Sequence, residues 1–160
     1  GYTAKVAGTE VGITEPTTTF SAGFGAAFLP LHPVAYAELL GEKLRASDVN
    51  VWLINTGWTG GSYGVGSRMK LSYTRAMITA ALNGELNDVS FEKLPVFELE
   101  FPKTCPGVPS ELLNPRDTWS DKTKYDDTAS NLAGQFVKNF EQYLSEASEE
   151  VKSAAPKVLV

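Results

Sequence analysis

Cysteine and histidine are scarce in this chain of 160 residues, which holds one of each. A single cysteine, Cys105, cannot form an internal disulfide, and this favours a reducing compartment. One cysteine and one histidine, His32, are also too few for a zinc site built from the usual Cys and His ligands. We therefore predict no metal site within this chain.

The chain also lacks a long apolar run and an excess of positive charge. No apolar run approaches the roughly 20 residues that a membrane-spanning helix needs. The net charge of −5 argues against general binding to nucleic acids or to anionic membrane surfaces. We expect neither a nucleic acid nor a membrane as partner, and we expect a cytoplasmic location.

The apolar pattern predicts a mixed α/β fold within one domain, with short strands and ordered loops before residue 33. Pro33 suits the first position of a helix that runs to about Ala46. The remaining predicted elements are a strand over 51–54, a helix from Ser72 to Leu82, a half-buried strand within 91–101, an irregular segment over 102–119 and a long helix over 122–147. Ser72 is a candidate N-cap, and Asn83-Gly84 is a helix stop. We expect the tail after 149 to fray or to dock outside the chain.

Five glycines fall within the ten residues 57–66, between the predicted strand over 51–54 and the helix that begins near Ser72. A strand, a glycine loop and a helix in this order commonly hold nucleotides. Gly61 and Gly66 have the outer spacing of a P-loop, but Ser67-Arg68 follows where that motif requires Lys and then Ser or Thr. We therefore predict a loop that touches a nucleotide without cradling its phosphates.

Basic and aromatic side chains accompany this loop. Arg68 is the first candidate contact, because a guanidinium can stack on a base and donate hydrogen bonds at once; a solvated loop charge explains it equally well. The Thr74 hydroxyl could face the loop or bond back to a helical carbonyl. For Trp58, a packed anchor is favoured over a stacking platform.

The other chemical candidates are favoured as structural residues. His32 could act as a base, but no carboxylate nearby in the sequence would orient it. Cys105 has no CxxC motif and no helix start to lower its pKa, so we do not expect a nucleophile. Glu10 and Glu15 could form an acid–base pair, although loop hydrogen bonds are the favoured interpretation. No residue is predicted to be catalytic.

Eight segments lie in order along nearly the whole chain, at residues 1–10, 12–16, 24–33, 55–60, 74–76, 83–84, 106–108 and 113–115. Together these segments resemble the C-terminal part of ATP-dependent phosphoenolpyruvate carboxykinase. The resemblance implies that residues 1–160 are the C-terminal portion of that family's nucleotide-binding domain, with its P-loop and metal ligands upstream.

The resemblance also implies an activity. Enzymes of the family convert oxaloacetate and ATP to phosphoenolpyruvate, CO2 and ADP in gluconeogenesis. The resemblance implies that the Mg2+ or Mn2+ ion is held by residues outside this chain. The positions that match its adenine and ribose contacts are Arg68, Met69 and Thr74. On this view the chain by itself is inactive. The alternative is a non-catalytic nucleotide-binding or structural module.

Overall fold

The computed structural model describes residues 2–5, 11–14, 17–20, 28–62 and 64–158. Within them it forms a mixture of helices and strands, as the apolar pattern predicts. The strands are β1 (Tyr2–Lys5), β2 (Thr17–Phe20), β3 (Trp58–Thr59), β4 (Ser67–Arg68), β5 (Phe91–Lys93) and β6 (Glu100–Pro102). The helices are α1 (Pro33–Ala46), α2 (Leu71–Leu82), α3 (Pro115–Thr118), α4 (Lys122–Phe140) and α5 (Glu149–Ser153), with 3-10 turns at Ser110–Leu112 and Glu141–Tyr143. None of the helices within these ranges has the length and hydrophobicity that crossing a membrane requires.

The chain divides into two compact units. The first unit comprises Gly1–Asn50 and Phe136–Ser153. It contains the antiparallel pair β1–β2, the helix α1 at its predicted bounds and the C-terminal end of α4. The ring of Phe20 meets that of Phe136 edge-on, with centroids 5.2 Å apart.

The second unit comprises Val51–Gln135 and Ala154–Val160, and it contains the glycine loop. One buried cluster forms where α2 meets the segment after β6, and its members are Ala80, Leu86, Cys105 and Val108. A second cluster joins Val96 to the inner face of α4 at Ala129 and Ala133. Small residues on α4 let the Val96 loop approach the helix closely, because they add little side-chain volume at the contact.

Two predictions around the glycine loop are wrong. Residues 51–54 form no strand, because no other strand of the described part of the chain pairs with them and Leu53 is 80% exposed. Ser72 is not the N-cap of α2; Lys70 is, and it makes no side-chain capping bond. The helix does end at Leu82, directly before Asn83-Gly84, as predicted.

The predicted strand within 91–101 is instead a hairpin of β5 and β6. The chain turns at Leu94, whose amide donates to the Leu99 carbonyl (2.9 Å) and whose carbonyl accepts from the Glu98 amide (2.9 Å). Pro95 follows Leu94 and has no amide hydrogen to give to a ladder. The apparent alternation over 96–101 therefore combines part of the turn with the start of β6.

The long helix stops earlier than predicted, at Phe140 rather than near Ala147. At the stop, the Gln142 side-chain amide donates to the Asn139 carbonyl at 2.8 Å. In a continuing helix that carbonyl would accept from the amide four residues later. The chain continues instead as the 3-10 turn Glu141–Tyr143.

The tail docks within its own chain. Lys157 donates its backbone N–H to the Val96 carbonyl at 2.7 Å and its ammonium to Glu98 at 2.6 Å. The expectation of a tail that frays or docks elsewhere is therefore wrong for Lys157, because the turn of the β5–β6 hairpin offers it both an acceptor and a charge.

Candidate functional site

The glycine-rich stretch is the closed end of a β-hairpin. Trp58 pairs with Arg68, and Thr59 pairs with Ser67, in antiparallel register. Gly66 lies against the opposite strand so tightly that a Cβ there would stand 2.5 Å from the Gly61 carbonyl oxygen and 2.7 Å from that of Thr59. No other residue type fits at Gly66 without opening the hairpin, since real Cβ atoms do not approach backbone oxygens so closely.

Several backbone amides of this hairpin have partners inside the protein. Those of Val65 and Gly66 both donate to the Ser62 carbonyl, at 3.0 and 2.9 Å, and that of Met69 donates to the Gly57 carbonyl at 2.7 Å. A phosphate cradle needs such amides unpaired and pointing at the ligand. The amides of Val65, Gly66 and Met69 are therefore not available to a phosphate, which agrees with the missing P-loop lysine.

The predicted contact residues lie at the exit of this hairpin. Arg68 is exposed at the end of β4, Met69 is half-buried directly after it, and Thr74 is buried in the first turns of α2. The Thr74 amide donates to the Lys70 carbonyl at 3.1 Å, which fixes the start of the helix. The seven residues from Arg68 to Thr74 therefore connect an exposed guanidinium to a largely buried threonine.

The Thr74 side chain is 8% exposed, and it is the only buried polar residue among the residues that the structure describes. Its hydroxyl makes no hydrogen bond within that part of the chain, so it does not bond back to a carbonyl of α2. The hydroxyl oxygen still reaches solvent, because Thr74 Oγ1 is not one of the enclosed polar atoms that lack a partner among the described residues. The hydroxyl is therefore open to a polar atom of a ligand, as the functional interpretation of Thr74 requires.

The local charge is positive although the whole chain carries −5. Arg68, Lys70 and Arg75 lie within eight residues of one another, and none forms an ion pair within the described ranges. Lys70 lies over the ring of Tyr73, with its Nζ 5.5 Å from the centroid. Unpaired cations at an exposed hairpin attract an anionic ligand through the surrounding field.

Trp58 is 46% exposed, more than is usual for the packed anchor that the sequence favoured. Its register opposite Arg68 puts both side chains on the same face of the hairpin. An exposed indole beside a guanidinium is suited to stacking on a planar ring. The sequence offered no signal for this pairing, since it depends on where the hairpin turns.

The hairpin is held from outside by Thr118 at the end of α3. The Gly60 amide donates to the Thr118 hydroxyl oxygen at 3.1 Å, and that hydroxyl donates to the Pro115 carbonyl at 2.7 Å. Sequence reasoning missed Thr118, because 58 residues separate it from Gly60.

The short helix α3 is fixed at both ends. The Asn114 side chain accepts from the Arg116 amide at 3.1 Å and caps its start. Arg116 then forms a two-pronged ion pair with Asp126 of α4, at 2.8 and 2.9 Å. The hydrogen bond from the Arg116 guanidinium holds the pKa of Asp126 below its ordinary value.

The remaining candidates have structural surroundings. His32 belongs to the first unit, where its Nδ1 lies 3.0 Å from a Glu146 carboxylate oxygen and its ring meets the Tyr143 ring edge-on. Glu146 lies 114 residues after His32, so the sequence did not indicate this contact. Burial raises the pKa of the Cys105 thiol, with a smaller contribution from the charge of Glu85. Glu10 and Glu15 lie outside the described residues.

Comparison with known proteins places this hairpin in a family. The family model described as "Phosphoenolpyruvate carboxykinase" matches residues 1–111 of the chain, a range that includes Arg68, Met69 and Thr74. The chain belongs to the phosphoenolpyruvate carboxykinase family. The resemblance carried by its scattered motifs is thereby confirmed.

Individual relatives extend the match almost to the end of this carboxykinase chain. It is 62% identical to the "Phosphoenolpyruvate carboxykinase (ATP)" of Christiangramia forsetii, over 98% of the chain and 29% of the relative. Proteins of the same name from Caldanaerobacter subterraneus and Thermus thermophilus are 60% and 57% identical, each over 98% of the chain and 30% of the relative. The chain thus spans less than a third of the length of these curated relatives, and it includes Thr118 within the region that they share.

Within its described ranges, the chain brings together no three His, Cys, Asp or Glu side chains as metal ligands. Divalent cations bound with ATP take oxygen ligands such as carboxylates. We therefore assign no step of the chemistry to a metal held by these residues.

Proposed function

We propose that this chain is a segment of an ATP-dependent phosphoenolpyruvate carboxykinase and that it supplies contacts to the adenine and ribose of ATP. The observation that carries the proposal is the hairpin exit, where an exposed Arg68 and a largely buried Thr74 flank Met69 in the region that the family model matches. The Thr74 hydroxyl makes no hydrogen bond within the described residues.

The division of roles follows from the hairpin's own hydrogen bonds. Its amides at Val65 and Gly66 are occupied, so the phosphates of ATP are held elsewhere in the enzyme. Arg68 remains available to lie along the base and donate to it, and the Thr74 hydroxyl remains available for a polar atom of the nucleoside. Met69 contributes an adaptable apolar contact, because its thioether side chain fills irregular space.

On this proposal, residues 1–160 form the C-terminal portion of the nucleotide-binding domain, and the P-loop and the Mg2+ or Mn2+ ligands lie in the rest of the enzyme. The whole enzyme decarboxylates oxaloacetate, breaking the bond to the departing CO2 and leaving its electron pair as an enolate. The enolate oxygen then attacks the γ-phosphorus of ATP, and the bond to the bridging oxygen breaks to release ADP. This chain acts in that sequence by positioning ATP, which is a main source of rate in phosphoryl transfer.

The proposal assigns the isolated chain no turnover. Adenine and ribose contacts without a phosphate cradle hold ATP weakly and place no group at the reacting atoms. We expect a mixture of oxaloacetate, ATP and Mn2+ to release CO2 no faster with the purified chain than without it. Faster release in the presence of the chain would overturn this part of the proposal.

Titration calorimetry with ATP tests the site directly, on the wild-type chain and on two arginine variants. Arg68→Ala is expected to weaken binding by about tenfold, since hydrogen bonds from charged groups are worth about 1.5–3 kcal/mol. Arg45→Ala is the matched control, because it removes the same group from an exposed position of α1 in the other unit. If the two variants weakened ATP binding equally, Arg68 would contribute only through its positive charge, and the proposal would be contradicted.

The same titration tests the alternative that the chain is a non-catalytic structural module. If a folded wild-type chain binds no ATP, the nucleotide contacts do not act on their own, and the chain is a structural module. Adenosine distinguishes contacts to the base and ribose from contacts to the phosphates, because it has no phosphates. We expect it to compete with ATP for binding to this chain.

A further inference from the structure

We propose that Thr118 is a positioning residue for nucleotide binding, acting through the hairpin that carries Arg68. This inference rests on the proposed function, since it presumes that the hairpin meets the nucleotide. It concerns a residue beyond the range of the family model's match and 44 positions after Thr74.

The hairpin needs an external anchor. Its ladder is only two residue pairs long, and isolated two-stranded ribbons are marginally stable in water. The partly buried bond from the Gly60 amide to the Thr118 hydroxyl supplies the anchor. Gly60 follows Thr59, and Thr59 pairs with Ser67, which precedes Arg68. A movement of the Gly60 backbone therefore also moves the strand that carries Arg68.

The contact is close as well as polar. Gly60 has φ +79°, a left-handed conformation that other residue types rarely adopt. A Cβ at Gly60 would lie 3.2 Å from the Thr118 carbonyl oxygen. The backbone of the hairpin therefore lies directly on the end of α3, where a small displacement of either one displaces the other.

Thr118 is itself oriented by its surroundings. Its hydroxyl hydrogen is committed to the Pro115 carbonyl, so a lone pair remains for Gly60. The ammonium of Lys122 donates to the carbonyls of Arg116 and Asp117, at 2.9 Å each, which closes the C-terminal end of α3. With Arg116 tied to Asp126, the anchor is fixed to the long helix α4 rather than to a loose loop.

Two variants of the purified chain separate the hydroxyl from the packing. Thr118→Val keeps the shape and removes both hydrogen bonds, and we expect ATP affinity to fall by about three- to tenfold. Thr118→Ser keeps the hydroxyl, and it should restore affinity to within about twofold of the wild type. Equal losses in the two variants would overturn the assignment, because only packing would then matter.

A double-variant cycle tests whether Thr118 acts through Arg68. In an Arg68→Ala background, Thr118→Val should cost little further affinity, since the group that it positions is gone. Full additivity of the two losses would contradict a positioning role. The Gly60 amide gives a readout that needs no binding: by nuclear magnetic resonance its hydrogen exchange should be slow in the wild type and in Thr118→Ser. Fast exchange in the wild type would contradict the anchor.

The outcomes for the two proposals are distinct. If Arg68→Ala leaves ATP affinity unchanged, the proposed function fails. If Arg68→Ala weakens binding and Thr118→Val does not, only the role of Thr118 fails. A folded wild-type chain without any affinity for ATP overturns both.

Discussion

Replacing Gly66 by alanine should open the hairpin that carries Arg68. The added Cβ would meet the backbone oxygens of Gly61 and Thr59 at 2.5 and 2.7 Å, which no side-chain rotation can relieve. The strands must separate, and the bonds from the Val65 and Gly66 amides to the Ser62 carbonyl are then lost. Two hydrogen bonds at about 0.5–1.5 kcal/mol each give about 1–3 kcal/mol, the same range as for overpacking in general.

Urea unfolding followed by circular dichroism measures this loss as a lower free energy of unfolding. A loss of about 2 kcal/mol corresponds to a fall of about 4–8 °C in Tm for a chain of this size. Gly134→Ala is the matched control, because Gly134 lies inside α4 and nothing stands within 4 Å of a Cβ placed there. That substitution should stabilise the chain by about 0.5–1 kcal/mol, since alanine favours a helix interior. A Gly66→Ala chain as stable as the wild type would refute the closed hairpin.

Two further predictions concern single ionisable groups. Because Arg116 lowers the folded-state pKa of Asp126, their pairing stabilises the fold fully above the ordinary aspartate pKa of about 4, and this stabilisation is lost as pH falls through the lowered folded value. Urea unfolding between pH 6 and 2 should show the free energy of unfolding falling with pH, and Arg116→Ala should reduce this fall. The same dependence on pH in the variant and the wild type would contradict the pairing. Cys105 is 6% exposed, and burial raises the pKa of its thiol. Ellman's reagent at pH 8 should therefore react with Cys105 more than about tenfold faster in urea than in buffer. Similar rates in urea and in buffer would show that the thiol is accessible in the folded chain.

Local chemistry made α1 and the end of α2 predictable. Pro33 suits a first helical turn, and Asn83-Gly84 suits a last one, so both boundaries depend on residues beside them. The strand over 51–54 failed for the opposite reason. An apolar run becomes a strand only when another strand pairs with it, and no residue within the run can supply that partner.

The hairpin of β5 and β6 shows a second limit. The alternating residues 96–101 include part of the turn after Leu94 as well as the start of β6, and the pattern alone does not distinguish a turn from a strand. Pro95 was the local signal that could have divided them.

The candidate site divides in the same way. The prediction that the glycine loop does not cradle phosphates came from its own residues, because Ser67 and Arg68 stand where the P-loop signature requires Lys and then Ser or Thr. The Thr118 anchor did not follow, since contacts between distant segments are fixed by tertiary packing. The roles of Arg68, Met69 and Thr74 stay predictions until a nucleotide is bound.

The two methionines of the chain allow the most direct test of the nucleotide site. Met69 lies at the hairpin exit, and Met77 packs against the buried cluster of Ala80 and Leu86. With carbon-13 methyl labels, a titration with ATP should shift the Met69 signal along a saturating curve and leave Met77 in place, whereas tripolyphosphate should move neither. A folded chain in which ATP leaves Met69 unmoved, or moves both methyls alike, would contradict a base-binding site at Arg68, Met69 and Thr74.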